Sequence, residues 1–334
     1  MNYAPILIPT LCRYEHFVRC IESLKKNGWA KYTDVYIALD YPKNESHKDG
    51  YYKILEYLEG DFNEFKSFNI VKRAYNYGSV RNMRELRELV LEKYDRFIRT
   101  DDDAEFSPNF LEYMDKCLEK YEYDEDVMAV CGYNYPIDLK LSSNSTVFKT
   151  NMTFRMWGTG FWRDKQEKMR TELTNNFVRE YAKNNKINKA KMTKVSYIDI
   201  LNGVTNFHDN LIDSFCDVSL AIYIQLIEKY VIVPTKSKVR NHGFDGSGIY
   251  CPKLNITNSD KITAKNFLYS NQDIDQQEVF DLVEDNIANE YTIEYFNDFD
   301  PRSKREIFKS EFKFYIMKVL GESLYKKLWI MRNK

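Results

Sequence analysis

The amino-acid sequence predicts an α/β fold: a Rossmann-like, mostly parallel sheet flanked by helices, with a helical appendage at the C-terminus. Three observations predict it. Four short apolar runs alternate with helical patterns over the first ~100 residues, a β-α-β-α-β-α-β rhythm. The runs are short and bounded by turn residues, as buried strands are. Asp101-Asp102-Asp103 follows the fourth run directly, at the strand end where such sheets bind ligands.

The elements follow in order. Pro5 to Thr10 is the first strand. A helix after Arg13 places Phe17, Val18, Ile21 and Leu24 on one face and ends at Asn27-Gly28. Val35 to Asp40 is the second strand, stopped by Tyr41-Pro42. Tyr52, Ile54, Leu55 and Leu58 mark the next helix, closed by Gly60. Phe68 to Val71 is the third strand, followed by a polar loop, Tyr75 to Ser79, and a helix from Val80 to Lys93. Arg96 to Thr100 is the fourth strand. Beyond the aspartates, Pro108 to Tyr121 reads as a helix and Val127 to Cys131 as a strand. Residues 138–154 read as loop or irregular hairpin, and an aromatic-glycine block, Phe154 to Trp162, precedes a charged helix. Residues 184–195 read as exposed. Val218 to Leu226 is an apolar helix, Tyr230 to Pro234 a strand, and Asn241 to Gly248 a glycine-dense loop. No sharp linker divides the chain.

The chain has 334 residues, 43% hydrophobic and 30% charged, which describes a globular protein rather than a disordered one. A formal net charge of -1 excludes nucleic-acid binding by bulk charge. Aromatics reach 15%, which suits both cores and sugar-stacking surfaces. The six cysteines form no C-x-x-C pair and read as small buried hydrophobes in a reducing compartment. With no signal-peptide pattern and no apolar run near the roughly 20 residues that span a bilayer, the expected location is cytoplasmic.

Adjacent carboxylates repel, and a hard divalent cation, Mn²⁺ or Mg²⁺, is the usual reason to gather them. The alternative is a solvated acidic turn. No glycine cradle for phosphate is present: neither G-x-G-x-x-G after the first strand nor a P-loop occurs. A diphosphate would then be held through a metal bridge to the aspartates.

Here the residues carry a resemblance. Pro9-Thr10, Asp40, Asn76-x-Gly78-x-x-Arg81 and the D-x-D aspartates resemble the nucleotide-sugar half of a GT-A fold, family-two-like inverting glycosyltransferase. Trp157-Gly158-Thr159-Gly160-Phe161-Trp162, Cys216-Asp217 and Asn241-x-Gly243-Phe244-Asp245-Gly246-Ser247-Gly248 resemble bacterial capsule and O-antigen transferases of that group. The resemblance covers about residues 5 to 251. It implies a donor half in residues 1–135, an acceptor-side half in 136–255 and a C-terminal extension in 256–334.

The resemblance also implies roles. Thr10, Asp40, Asn76, Arg81, Asp101 and Asp102 would hold a nucleotide-sugar donor, UDP-linked by expectation, with Asp40 at the base and Asp101 at the ribose. Asp103 would ligate the metal, with His242 as a further ligand because Tyr250 stands where a later histidine is expected. Asp217 would be the general base on an acceptor hydroxyl, and Trp157 and Trp162 would stack on the acceptor saccharide. Each has a plainer alternative: a strand-end turn for Asp40, a helix-surface arginine for Arg81, a dipole-stabilising helix start for Asp217, a loop hydrogen bond for His242 and core packing for the tryptophans.

After Pro301 the chain turns basic. Phe308, Phe312, Tyr315, Ile316, Val319 and Leu320 fall on one face of a helix rich in lysine and arginine. Such a helix either packs on the main domain or lies on an anionic membrane, at the inner face where a lipid-linked acceptor would be found. Two further function classes compete. A sugar nucleotidyltransferase expects a glycine-rich loop after the first strand, where this chain has Leu11-Cys12-Arg13-Tyr14. A non-catalytic carbohydrate-binding protein would not need the aspartates.

Overall fold

The computed structural model describes residues 2–136, 139–173, 175–184, 187–206, 217–248, 272–285, 292–294, 297 and 303–332. Cys216 and Tyr250 lie outside the described residues. The strands are β1 (Ile6–Thr10), β2 (Asp34–Leu39), β3 (Ser67–Lys72), β4 (Arg96–Arg99), β5 (Ala104–Phe106), β6 (Val127–Cys131), β7 (Val147–Thr150), β8 (Thr159–Trp162), β9 (Tyr230–Pro234), β10 (Val239–Asn241) and β11 (Glu284–Asp285). Helices α1 (Tyr14–Lys25), α2 (Lys48–Tyr57), α3 (Ser79–Leu91) and α4 (Phe110–Lys120) belong to the first half. They are followed by α5 (Arg163–Glu172), α6 (Asn175–Lys183), α7 (Lys194–Asn206), α8 (Asp217–Leu226), α9 (Lys304–Leu320) and α10 (Glu322–Arg332).

Nine strands form one sheet in the order β11-β7-β9-β6-β8-β4-β1-β2-β3. Strands β3, β2, β1 and β4 run parallel. Strand β8 enters antiparallel between β4 and β6, and β6 pairs parallel with β9. The fold is therefore α/β with a mostly parallel sheet, as the sequence rhythm predicts. Strands β1 and β2 are almost wholly buried because helices cover both faces. Alternation sends Ile6 and Ile8 to one face, against Phe17, Ile21 and Leu24 of α1 and Met114 of α4. It sends Leu7 to the other, with Met83, Leu86 and Val90 of α3. Each such side chain contributes about 1.5–3 kcal/mol of burial.

Three expectations are corrected. The aromatic-glycine block contains a strand, β8, since its glycine at 160 passes against Leu118 where a side chain would crowd. In α2 the buried tyrosine is Tyr51, and Tyr52 faces water. Residues 272–285 belong to the sheet domain rather than to an appendage: Phe280 is buried in the core and β11 extends the sheet edge beside β7.

One buried carboxyl sits beneath the sheet. Asp115 on α4 is fully buried and accepts the Ala4 backbone N–H at 2.8 Å. Burial raises its pKa to about 7, against smaller opposing effects from the Ala4 hydrogen bond and Arg96. The folded chain thus binds a proton that the unfolded chain releases at a lower pH, so stability falls as pH rises from the ordinary carboxylate range through about 7. Asp115→Asn keeps the acceptor for Ala4 and removes the charge. Urea melts are expected to show it about 2–4 kcal/mol more stable than the parent above neutral pH, with the gap closing in mild acid. A gap that does not change with pH would contradict this account.

Candidate active site

The site forms where the chain reverses direction across the sheet. From β1 it goes to β2 on one side, and it returns to β4 on the other. Side chains at the carboxyl ends of β1 and β4 therefore face a shared crevice. Thr10 ends β1, and the three aspartates follow β4.

The hydrogen bonds there give each aspartate a different environment. Asp102 is buried. The Thr10 hydroxyl donates to its Oδ2 at 2.8 Å, and Arg13 Nη2 donates to its Oδ1. Asp103 is also buried. Arg13 Nη1 donates to its Oδ2 at 2.8 Å, and Asn241 Nδ2 donates to its Oδ1 at 3.1 Å. Burial lifts the Asp103 pKa, partly offset by Arg13. Asp101 is partly exposed and faces Arg99 Nη2 at 3.6 Å. Burial lifts it to about 6; Arg99 opposes the rise, while Asp103 and Asp217 add to it. The influence of Asp217 on Asp101 places those two carboxylates in one electrostatic neighbourhood.

A small second sheet completes the wall. Strand β10 pairs antiparallel with β5, Asn241 opposite Ala104. This pairing carries Asn241 to Asp103, and the His242 backbone N–H donates to the Asp103 carbonyl at 2.8 Å. Gly243 packs tightly here: a Cβ at that position would lie 2.1 Å from Asp103 Oδ2. Asn241 Oδ1 in turn accepts the Gly243 N–H at 2.8 Å.

Several predicted roles meet a different geometry. The His242 ring bonds Glu105 Oε2 at 2.6 Å and holds that carboxyl below its usual range. In this arrangement the ring is engaged by Glu105, while Asn241 is the side chain that reaches Asp103. Asp40 is buried, and its carboxylate accepts from the backbone N–H groups of Tyr41, Tyr77 and Gly78 at 2.7–2.9 Å and from Asn76 Nδ2 at 3.2 Å. It shapes the loop before α3 rather than presenting free oxygens to a base. Trp162 sits at the opposite end of β8 from the site, paired with Arg96, and is 2% exposed. Its Nε1–H donates to the Leu118 carbonyl, and Lys165 lies over its ring at 4.0 Å. A core position of this kind offers no face to a saccharide.

The other candidates make contacts of their own. Arg81 opens α3, stacks over Tyr77 at 3.9 Å and pairs with Glu85 at 2.7 Å. Trp157 is half-buried and packs edge-on against Tyr133 and Phe244. Arg155 lies 5.7 Å from that ring and 3.5 Å from Asp217 Oδ2. Asp217 begins α8, and its Oδ1 accepts the Met156 N–H at 2.9 Å.

Among the described residues no three His, Cys, Asp or Glu side chains converge as a metal-holding set. A divalent cation arriving on a diphosphate needs only one or two carboxylates from the protein, the remaining ligands being phosphate and water oxygens. Asp101 and Asp103 fit that need. Both are hard oxygen donors, and burial raises the pKa of each against the opposing arginines. Arg13 supplies a counter-charge to Asp102 and Asp103 and would share Asp103 with such a cation. Arg13, Asn241 and Gly243 had no role in the sequence reading. The Asn-x-Gly spacing was visible there, but nothing local points it at Asp103.

No family model and no curated protein matches the chain. Among solved structures, S. aureus TarS is 14% identical over 46% of this chain and 22% of its own, with a TM-score of 0.29. TarS 1-349 in complex with UDP-GlcNAc is 13% identical over 46% of this chain and 34% of its own, TM-score 0.30. Mannosyltransferase PcManGT from Pyrobaculum calidifontis, in complex with GDP-Man and Mn²⁺, is 15% identical over 51% of this chain and 47% of its own, TM-score 0.36. The chain spans less than half the length of each of these matched structures.

Proposed function

We propose that the chain is a metal-dependent inverting glycosyltransferase. It moves a sugar from a nucleotide-diphosphate sugar, UDP-linked, to a saccharide or lipid-linked saccharide acceptor in surface polysaccharide synthesis. One observation carries the reading: three consecutive aspartates, two with raised pKa, follow β4 at the sheet's switch point in a chain without a phosphate-cradling glycine loop. Residues 1–135 supply the donor side, and 136–255 the acceptor side.

Thr10 fixes the Asp102 carboxylate, and Asn241 fixes Asp103. Asp103 would hold Mn²⁺ or Mg²⁺, and Asp101, expected at the ribose, would share that cation. When bound, that cation supplies the positive charge that offsets the diphosphate as it leaves. Asp217 would take the proton from the acceptor hydroxyl as its oxygen bonds to the anomeric carbon. The bond from that carbon to the diphosphate oxygen breaks on the opposite side, so the configuration inverts. Trp157, beside Arg155, would border the acceptor.

The test is a binding screen of UDP-, GDP- and dTDP-sugars with Mn²⁺ and with chelator. One nucleotide class is expected to bind only with the metal. Binding is expected to strengthen as pH rises through about 6, where Asp101 gives up its proton, and Asp101→Asn should flatten that rise. Failure of every nucleotide sugar to bind, or binding indifferent to chelator, would sink the proposal.

A further inference from the structure

Helix α9 has two faces with opposite fates. Ile307, Ser310 and Met317 are buried; Ser310 Oγ donates to Asn202 of α7 at 3.1 Å, and Met317 joins the core beneath. On the other side Phe308, Phe312, Tyr315 and Val319 are each more than half exposed. Their spacing of four, three and four residues makes one continuous stripe, and the Phe308 and Phe312 rings stack within it. On α10, Leu324 and Leu328 are exposed as well. Scattered apolar side chains on a surface need no explanation, whereas a stripe this long marks a docking face.

Charge decides what docks. Residues 304–331 hold seven lysines and arginines against three glutamates, in a chain whose net charge is -1. Of those glutamates, Glu311 pairs with Lys189 and Glu306 caps the helix through Ser303. A second copy would bring the same positive excess to the stripe and be repelled. We propose that this face lies on an anionic lipid surface, with the aromatic stripe at the headgroup boundary and the lysines beside it on the lipid charge. The inference rests on this surface alone and is independent of the reaction proposed above.

The experiment is flotation of the full chain with vesicles of phosphatidylcholine alone and of phosphatidylcholine mixed with phosphatidylglycerol. The chain is expected to float with the mixed vesicles at low salt, to be released at high salt, and to ignore the neutral ones. Two double variants probe the two halves of the argument: Phe308→Ser with Phe312→Ser, and Lys309→Glu with Lys313→Glu. All four side chains are exposed, so thermal melts should match the parent. Each double variant should bind the mixed vesicles about tenfold more weakly or worse. Failure to float with the mixed vesicles, equal binding to both kinds, or parental binding by both variants would overturn the proposal. So would a dimer in sedimentation that the serine variant dissolves, because the stripe would then be a protein interface.

Discussion

Asp103→Ala is expected to abolish sugar transfer while the fold survives. Asp103 is the carboxylate most completely organised by the protein: Arg13 holds one oxygen, Asn241 holds the other, and Gly243 leaves it the space it occupies. Such preparation has a structural cost. Buried, adjacent to Asp102 and raised in pKa, this carboxylate makes Asp103 a poor choice for stability alone. If Asp103 holds the cation on the donor diphosphate, its loss removes several kcal/mol of charge stabilisation, roughly 10³-fold or more in turnover. The fold should tolerate the change because Arg13 keeps Asp102 as its partner, so no buried charge is orphaned. Single-turnover transfer and thermal melting on the same preparation check both halves. Turnover within about tenfold of the parent would remove Asp103 from the metal role. A collapsed melting transition would instead make Asp103 a structural partner of Arg13.

The parts legible in the sequence are those whose signal is local. Strands β1, β2, β6 and β9 are unbroken apolar runs, and α1, α3 and α4 show the repeat of an amphipathic helix. The aspartates needed only their place after β4. Strand β8 was hidden because its four residues are half glycine and threonine, and it exists only by filling the gap between β4 and β6. The β5–β10 pair was hidden for a related reason. Each member has three residues, and they lie more than a hundred positions apart in the chain.

The same pairing bears on the late histidine. Without the register of Asn241 opposite Ala104, a histidine in the late loop reads as a ligand, since histidine is the commoner metal-binding residue. With the register, the asparagine reaches Asp103 and the histidine goes to Glu105. Arg13 shows the same limit from the other side. Its loop shows only a missing glycine in the sequence, while in the fold its guanidinium bridges two of the three carboxylates. Trp162 was drawn toward the site by sharing a motif with Trp157, although the length of β8 carries it to the far end of the strand.

Asp217→Asn is expected to lower transfer by roughly 10²-fold or more while donor binding persists. The substitution separates shape from basicity. An asparagine oxygen still accepts the Met156 N–H, so the start of α8 keeps its hydrogen bond. What goes is a negative charge that sits near Asp101 and faces Arg155. If Asp217 takes the acceptor proton, the chemical step slows and the affinity for nucleotide sugar changes little. Because Asp217 helps hold Asp101 up near 6, its neutralisation should also move the acid limb of donor binding to lower pH. These two readouts divide the possible roles. A slow chemical step with the shifted limb fits a base in electrostatic contact with the donor site. A shifted limb at near-normal turnover leaves Asp217 as a charge that tunes Asp101, and the proton must then go elsewhere. Rate and limb both unchanged would return Asp217 to the ordinary work of an acidic residue at a helix start, stabilised by the backbone N–H groups it faces.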